Sequence, residues 1–337
     1  MLVKLDDPKN RVNLVWSTDW HFSDIPPGRR KDDYRSALLD KLAFVRGLVE
    51  KLGGAAVCGG DVFHHKKPGH PGNSLRLLID LMQALRRFPQ GRVFGSVGNH
   101  DLSWDRMDSL PRQPLGLLIE VGAYHDLNRE PVVFQSQDGA VNVSVETFPY
   151  AEGEETIRNI MSAGPRQPGV QHRVGVVHAY GHSGEASSFF GQTRTIGYNE
   201  LVGCGFDVLL WGHDHSRHET EEVGGTTHVN LGSMARAAFS YDELDRPVVA
   251  TILSFAADGV LRYKEVPIPV KPLEIAFAAA DKGVETVAKS EEIVEFFAEM
   301  DAAVEGIEIN DPRQVIKELC GGDAKYESFL LELCDMA

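Results

Sequence analysis

The chain has 337 residues, with 34 Lys+Arg against 49 Asp+Glu and a formal net charge of −15. At 42% hydrophobic and 25% charged residues it has the make-up of a globular protein, which excludes disorder and a coiled coil. No run approaches the roughly 18 apolar residues that cross a bilayer, and the opening Met1-Leu2-Val3-Lys4-Leu5-Asp6-Asp7 lacks a basic segment followed by an apolar one, so the expectation is a cytoplasmic protein with no membrane contact.

Short apolar runs alternate with helical spacing through the first half, the pattern of an α/β protein. A strand is predicted at Val12 to Trp16, then a helix over 33–52 with Leu38, Leu42, Val45, Val49 and Leu52 on one face and Gly53-Gly54 as its stop. Ala55 to Cys58 reads as the next strand. A helix capped by Asn73 follows through Leu75, Leu78, Ile79, Met82 and Leu85, and Arg92 to Val97 returns to strand. Beyond Pro131 strands dominate: Val132 to Phe134, Val141 to Phe148, Arg173 to Val177, Asp207 to Trp211, Thr227 to Leu231, Val248 to Phe255 and Leu261 to Val266, with helices at 154–163 and 198–203. Two packed sheets are implied.

Pro267, Pro269 and Pro272 mark a boundary, giving a main domain over 1–269 and a helical appendage over 270–337 with helices at 290–304, 312–320 and 323–335. The appendage holds 6 Lys+Arg and 16 Asp+Glu, a net of −10, which leaves 28 − 33 = −5 for residues 1–269. Its apolar stripes suit a packed cap, a docking surface or an oligomer contact equally. Basic clusters stand at Arg29, Arg30, Lys31 and Arg35, at Lys66 and Lys67, and at Arg86, Arg87 and Arg92. Cys58, Cys204, Cys320 and Cys334 show no paired spacing and read as reduced, buried thiols.

Five polar clusters fall at the ends of apolar strands: Asp19/His21, Asp61, Asn99/His100/Asp101, His178 and His213/His215. The i, i+2 spacing of Asp19 with His21, and of His213 with His215, places both side chains on one side if the backbone is extended. Gly60, Gly98 and Gly212, each just before a cluster, allow close backbone approach or positive φ. Carboxylate, imidazole and amide oxygen suit a divalent transition metal, and there are more ligands than one ion uses, so two ions are implied with Asp61 as the bridge. A pair of ions about 3.5–4 Å apart is a known clamp for in-line displacement at phosphorus, generating hydroxide and stabilising oxygen charge.

In order, these motifs resemble those of the calcineurin-like metallophosphoesterases: Asp-x-His, Gly-Asp, Gly-Asn-His-Asp/Glu, His and Gly-His-x-His. The resemblance covers residues 10–270 and implies a four-layer α/β/β/α sandwich. It places Asp19, His21, Asp61 and His215 on one metal, Asp61, Asn99, His178 and His213 on the other, His100 as the catalytic histidine and Asp101 as the residue that orients its ring. Gly60-Asp61-Val62-Phe63-His64 and Gly98-Asn99-His100-Asp101 are similar to the motifs of SbcD-type DNA-repair nucleases and phage recombination nucleases. That similarity implies His64 beside the scissile phosphate, Lys66, Lys67, Arg29 and Arg30 along the DNA backbone, and an SMC-like ATPase as partner. Such nucleases carry a longer capping domain than the short acidic segment here.

The expectation is therefore a Mn²⁺-dependent DNA nuclease, with Fe or Zn as other candidate metals. A phosphodiesterase or phosphomonoesterase for small substrates such as cyclic nucleotides is the alternative, suited to the low net charge. A non-enzymatic metal-bound scaffold is a third reading, which the intact His100 disfavours. His65, His70, His125, His172, His182, His218 and His228 are left as surface or structural residues.

Overall fold

Alternation along the strand at Val12–Ser17 sets the layering. In the computed structural model, which describes residues 1–129, 131–184, 188–189, 193–237 and 246–277, Val12, Leu14 and Trp16 lie in one apolar cluster and Val15 in another. Successive side chains of a strand leave on opposite faces, so both faces of this strand are covered.

The strands are β1 (Leu2–Lys4), β2 (Val12–Ser17), β3 (Ala55–Cys58), β4 (Val93–Gly95), β5 (His125–Asp126), β6 (Val132–Gln135), β7 (Asn142–Phe148), β8 (His172–His178), β9 (Gly181–His182), β10 (Ser188–Phe189), β11 (Thr193–Arg194), β12 (Ile196–Gly197), β13 (Val208–Gly212), β14 (Glu221–Val223), β15 (Thr226–Asn230), β16 (Val249–Phe255) and β17 (Leu261–Pro267). One sheet has the order β17-β16-β2-β3-β4-β5 and the other β1-β6-β7-β8-β13-β15-β14, while β9 pairs with β12 and β10 with β11. Neighbours β2, β3, β4 and β5 are parallel, as are β7, β8, β13 and β15.

Helices α1 (Tyr34–Leu52), α2 (Leu75–Arg86) and α3 (Pro114–Glu120) cover the six-stranded sheet through Leu38, Leu42, Val45, Leu77, Leu81 and Leu115. The two sheets meet over Leu14, Trp16, Val57, Phe134, Val174 and Leu210, with Phe94 edge-on to Phe134 at 4.9 Å. Helix α4 (Gly153–Met161) closes the far side by setting Ile160 among Leu209, Trp211 and Tyr198. This is the four-layer α/β/β/α arrangement expected.

Helix α1 starts where Asp33 accepts a bond from the Ser36 N–H and ends at Gly53, whose φ of 57° a residue with a Cβ adopts only under strain. The predicted Asn73 cap is corrected: Ser74 caps α2, and Asn73 uses its amide to hold the His65 and Lys67 carbonyls. The helix predicted at 198–203 is a 3₁₀ turn, Tyr198–Leu201. Residues 270–277 pack on the sandwich, with Phe277 buried and the Ala276 carbonyl accepting from the Lys31 N–H. The helices predicted over 290–304, 312–320 and 323–335, with Cys320 and Cys334, lie outside the described residues. Cys58 and Cys204 are buried free thiols, and no described helix is long and apolar enough to cross a membrane.

Candidate metal centre

Strands β2 and β3 of one sheet, and β8 and β13 of the other, end at the loops that carry the polar clusters, and the carboxyl edge of parallel strands is where open α/β sheets place ligands. The chain leaves these strands through left-handed backbone: φ is 52° at Asp19, 47° at His21, 51° at Asp61 and 86° at His213. The extended geometry expected at Asp19/His21 and His213/His215 is thereby corrected, because β2 stops at Ser17 and β13 at Gly212. Left-handed backbone costs an L-residue on the order of 1–2 kcal/mol, and such strain concentrates at functional sites. Close packing of the loops fixes it. A Cβ on Gly98 would stand 2.0 Å from the Asp61 carboxylate, so only glycine lets the third cluster approach the second.

These turns gather three groups of ligand atoms: Asp19, His21 and His215 in a first, Asp61, His178 and His213 in a second, and His21, His64 and His100 in a third that shares His21 with the first. In the first, the Nε2 atoms of His21 and His215 lie 2.9 Å apart and 4.0 and 3.9 Å from Asp19 Oδ1. In the second, His178 Nε2 is 3.4 Å from Asp61 Oδ1 and 3.2 Å from Asn99 Oδ1, and His213 Nδ1 is 3.0 Å from the same Asn99 oxygen. Asp61 joins them, since its other oxygen is 3.6 Å from His21 Nε2.

The electrostatics shows what this arrangement lacks. His178 Nδ1 lies 2.8 Å from the Gly59 carbonyl and must donate there, so a neutral His178 turns an Nε2 lone pair toward two oxygens. Burial opposes a charge on His178, yet the Asp61 carboxylate, with Asp19 and the Gly59 carbonyl, pushes it up to about 9. Burial likewise opposes ionisation of Asp61, but His178, His100 and His21 hold it well below the usual carboxylate range. Asp19 goes the other way, raised by burial and by the Asp61 charge. His213 is pushed down to about 3 by burial and by His178. Lone pairs converging from carboxylate, amide and imidazole call for cations between them.

A family model of the calcineurin-like phosphoesterases matches residues 14–217, well over half of the chain and all of the clusters described. The chain is a calcineurin-like phosphoesterase. No curated protein sequence matches it. Among solved structures it is similar to a 5′-nucleotidase precursor from Thermus thermophilus, at 16% identity and a TM-score of 0.44 over 85% of this chain and 60% of that one. It is also similar to the T. thermophilus sulfate thiohydrolase SoxB, at 14% identity and 0.44 over 78% and 58%. The chain thus spans about three-fifths of the length of these two proteins.

The family implies a dimetal centre, and the donor set fits one. Neighbouring ligand atoms stand 2.9–4.0 Å apart, close to the roughly 3 Å edge of a polyhedron whose metal–ligand bonds are about 2.1 Å. His100 stands beside this set, its ring 4.9 Å from that of His21 and its main-chain N–H donating to Asp61 Oδ1 at 2.8 Å. Its Nδ1 lies 2.6 Å from the His64 carbonyl. The His64 ring stacks on it at 5.7 Å, and burial, with His100 and His65, pushes His64 down to about 4.

Three expectations for this phosphoesterase need correction. Asp101 does not hold the His100 ring: its carboxylate accepts from the N–H groups of Val62, Phe63 and Gly98, pinning the Asp61 loop to the Gly98 loop. Arg30 is drawn inside, where it donates to the Arg236 carbonyl, pairs with Asp32 and lies over the rings of Tyr34 and Phe277, so it cannot follow a nucleic-acid backbone. Arg29 and Lys67 are exposed, and Lys66 is half-buried and paired with Asp105 at 2.8 Å. His182 and His218, left without a role by the sequence, line a cavity of about 640 Å³ together with Asp61, His100, Tyr180 and His213. Neither falls within one of the five motifs, so no local signal would have found them.

Proposed function

We propose that this phosphoesterase is a phosphodiesterase acting on DNA, a nuclease of the SbcD type that works with two Mn²⁺ ions. The observation that carries the reading is the second imidazole: His64, at the end of Gly60-Asp61-Val62-Phe63-His64, stacks on His100 and stands edge-on to His21 at 5.4 Å. Asp19, His21, Asp61 and His215 would hold one ion, and Asp61, Asn99, His178 and His213 the other. Bound there, divalent ions supply Lewis-acid polarisation of the phosphoryl oxygens and a lowered pKa of water. Mixed nitrogen and oxygen ligands suit Mn²⁺, with Fe and Zn as the competing metals.

The protein's own part is positional. Because the His64 carbonyl engages Nδ1 of His100, the ring turns Nε2 outward; as the imidazolium it would carry a second proton there, and giving that proton to the departing sugar oxygen would leave the neutral Nδ1–H form. Asp101 keeps the Asp61 and His100 loops in register. Lys67 and Arg29 supply positive charge for the DNA backbone. Segment 270–337 is the element that would engage an SMC-like ATPase or a second copy of the chain.

A small-substrate phosphodiesterase is the second reading, favoured by the pairing of Lys66 with Asp105, of Arg35 with Asp24 and the burial of Arg30, which leave few cations for a polymer. The two are separated by turnover of single-stranded DNA, double-stranded DNA, a bis-aryl phosphodiester and an aryl phosphomonoester in Mn²⁺, with His100→Ala as the blank. DNA cleavage missing from the blank supports the nuclease, and turnover of the aryl esters alone replaces it with the second reading.

A further inference from the structure

Of the four tryptophans, Trp16, Trp20 and Trp211 are fully buried and Trp104 is 87% exposed. Trp104 lies four residues beyond His100, in a segment that is anything but slack. Its φ of 56° and the 53° of Asp105 are left-handed, a region that disfavours a bulky side chain. On one flank the Ser103 N–H donates to Ser109 Oγ at 2.9 Å, and the Gln113 amide donates to Ser103 Oγ at 2.8 Å. The Lys66–Asp105 pair fixes the other flank and ties it to the loop that carries His64. A rigid turn thus holds a large aromatic ring in solvent, close in the chain to His100.

More aromatic surface stands against the metal ligands. Tyr150 and Tyr180 pack on the His213 ring at 5.1 and 4.2 Å, and Tyr180 lines the cavity. Rings next to a phosphoester site and the exposed Lys67 are the two components of a single-strand nucleic-acid site: stacking faces and a backbone cation. Stacking is indifferent to sequence because every base has a π-face.

We propose that Trp104, together with Tyr150 and Tyr180 on the His213 ring, is a stacking platform for unpaired nucleobases next to the scissile phosphate. This rests on the nuclease reading and narrows it, making single-stranded or frayed DNA the preferred substrate and Trp104 a specificity-determining residue.

The test uses the full-length His100→Asn protein in Mn²⁺, with affinity read from the anisotropy of a labelled oligo(dT) and of the same strand carrying abasic tetrahydrofuran units. We expect Trp104→Ala to weaken oligo(dT) binding about tenfold and removal of the bases to weaken parent binding about tenfold, with the two losses together no larger than either. Trp104→Phe should restore most of the affinity, and oligo(dT) should saturably quench the exposed-tryptophan emission of the parent. Additive losses, or no loss on Trp104→Ala, overturn the platform. If DNA is still cleaved in a His100-dependent manner in that case, the platform alone falls. If DNA is neither bound nor cleaved while an aryl phosphodiester is turned over, the nuclease reading falls and takes the platform with it.

Discussion

His100 takes its orientation from the main chain of His64, whose carbonyl oxygen lies 2.6 Å from His100 Nδ1. A neutral imidazole bonded this way donates from Nδ1 and keeps its lone pair on Nε2, toward the cleft. The contact belongs to the backbone, so substitution of the His64 side chain leaves it in place. Loop position, set by Asp101 and the glycine approach at Gly98, decides where the ring points.

Replacing His100 by Ala should lower turnover by about 10²- to 10⁴-fold, the usual contribution of a positioned acid or base. Metal content, measured by elemental analysis, should stay at that of the parent, because the two groups that contain a carboxylate are completed by His21 and His215 and by His178 and His213, whereas His100 groups only with His21 and His64. Loss of one ion equivalent in this variant would show that His100 is a ligand.

Asp61→Ala removes the carboxylate that reaches both groups, at 3.6 Å from His21 and 3.4 Å from His178. Both ions should be lost. An ion at 100 times its Kd stabilises the folded chain by about 2.7 kcal/mol. A chelator should therefore lower the Tm of the parent by several degrees and leave that of Asp61→Ala unchanged. Equal chelator sensitivity in the two proteins would refute a shared bridge.

Much of this centre was legible in the sequence, because ligand chemistry resides in residue type and each cluster follows an apolar run. His178 and His213, for example, close β8 and follow β13. What escaped was set by contacts without a local pattern. Left-handed φ at Asp19 and His21 has no glycine to announce it and arises from packing against Gly60 and Asp61, whose carbonyls accept from those residues' N–H groups. Asp101 could not be placed because its partners are main-chain N–H groups, which nearly every residue has. Arg30 looked like surface charge, yet its partner carbonyl at Arg236 is 206 residues away. Helix α3 and the 3₁₀ turns between Asn99 and Arg112 are too short to build a period.

Asp101→Asn tests the loop clamp. An amide has one acceptor oxygen and turns its NH₂ toward main-chain donors that the carboxylate satisfied, at Val62, Phe63 and Gly98. Leaving a buried donor unpaired costs about 1–3 kcal/mol. Urea unfolding should show that loss, and turnover should fall more than metal occupancy does, since the His100 loop shifts relative to Asp61. A variant as stable and as active as the parent would remove Asp101 from the positioning role.

Among the histidines outside the five motifs, His228 is buried, stacks on Tyr198 at 4.1 Å and accepts at Nδ1 from the Trp211 indole N–H at 3.2 Å. Burial pushes it down to about 4 from an ordinary 6.5. Between those values the unfolded chain binds a proton that the folded chain does not, so stability is complete above pH 6.5 and declines as the pH falls toward 4. Over that window the loss should be on the order of 2 kcal/mol, somewhat below the full linkage value. His228→Gln keeps an acceptor for the indole and cannot titrate. Urea unfolding of both proteins from pH 7 to pH 4 should show the stability advantage of the parent shrinking by that amount, whereas parallel curves would mean that His228 is protonated in the folded protein and that its ring reaches solvent.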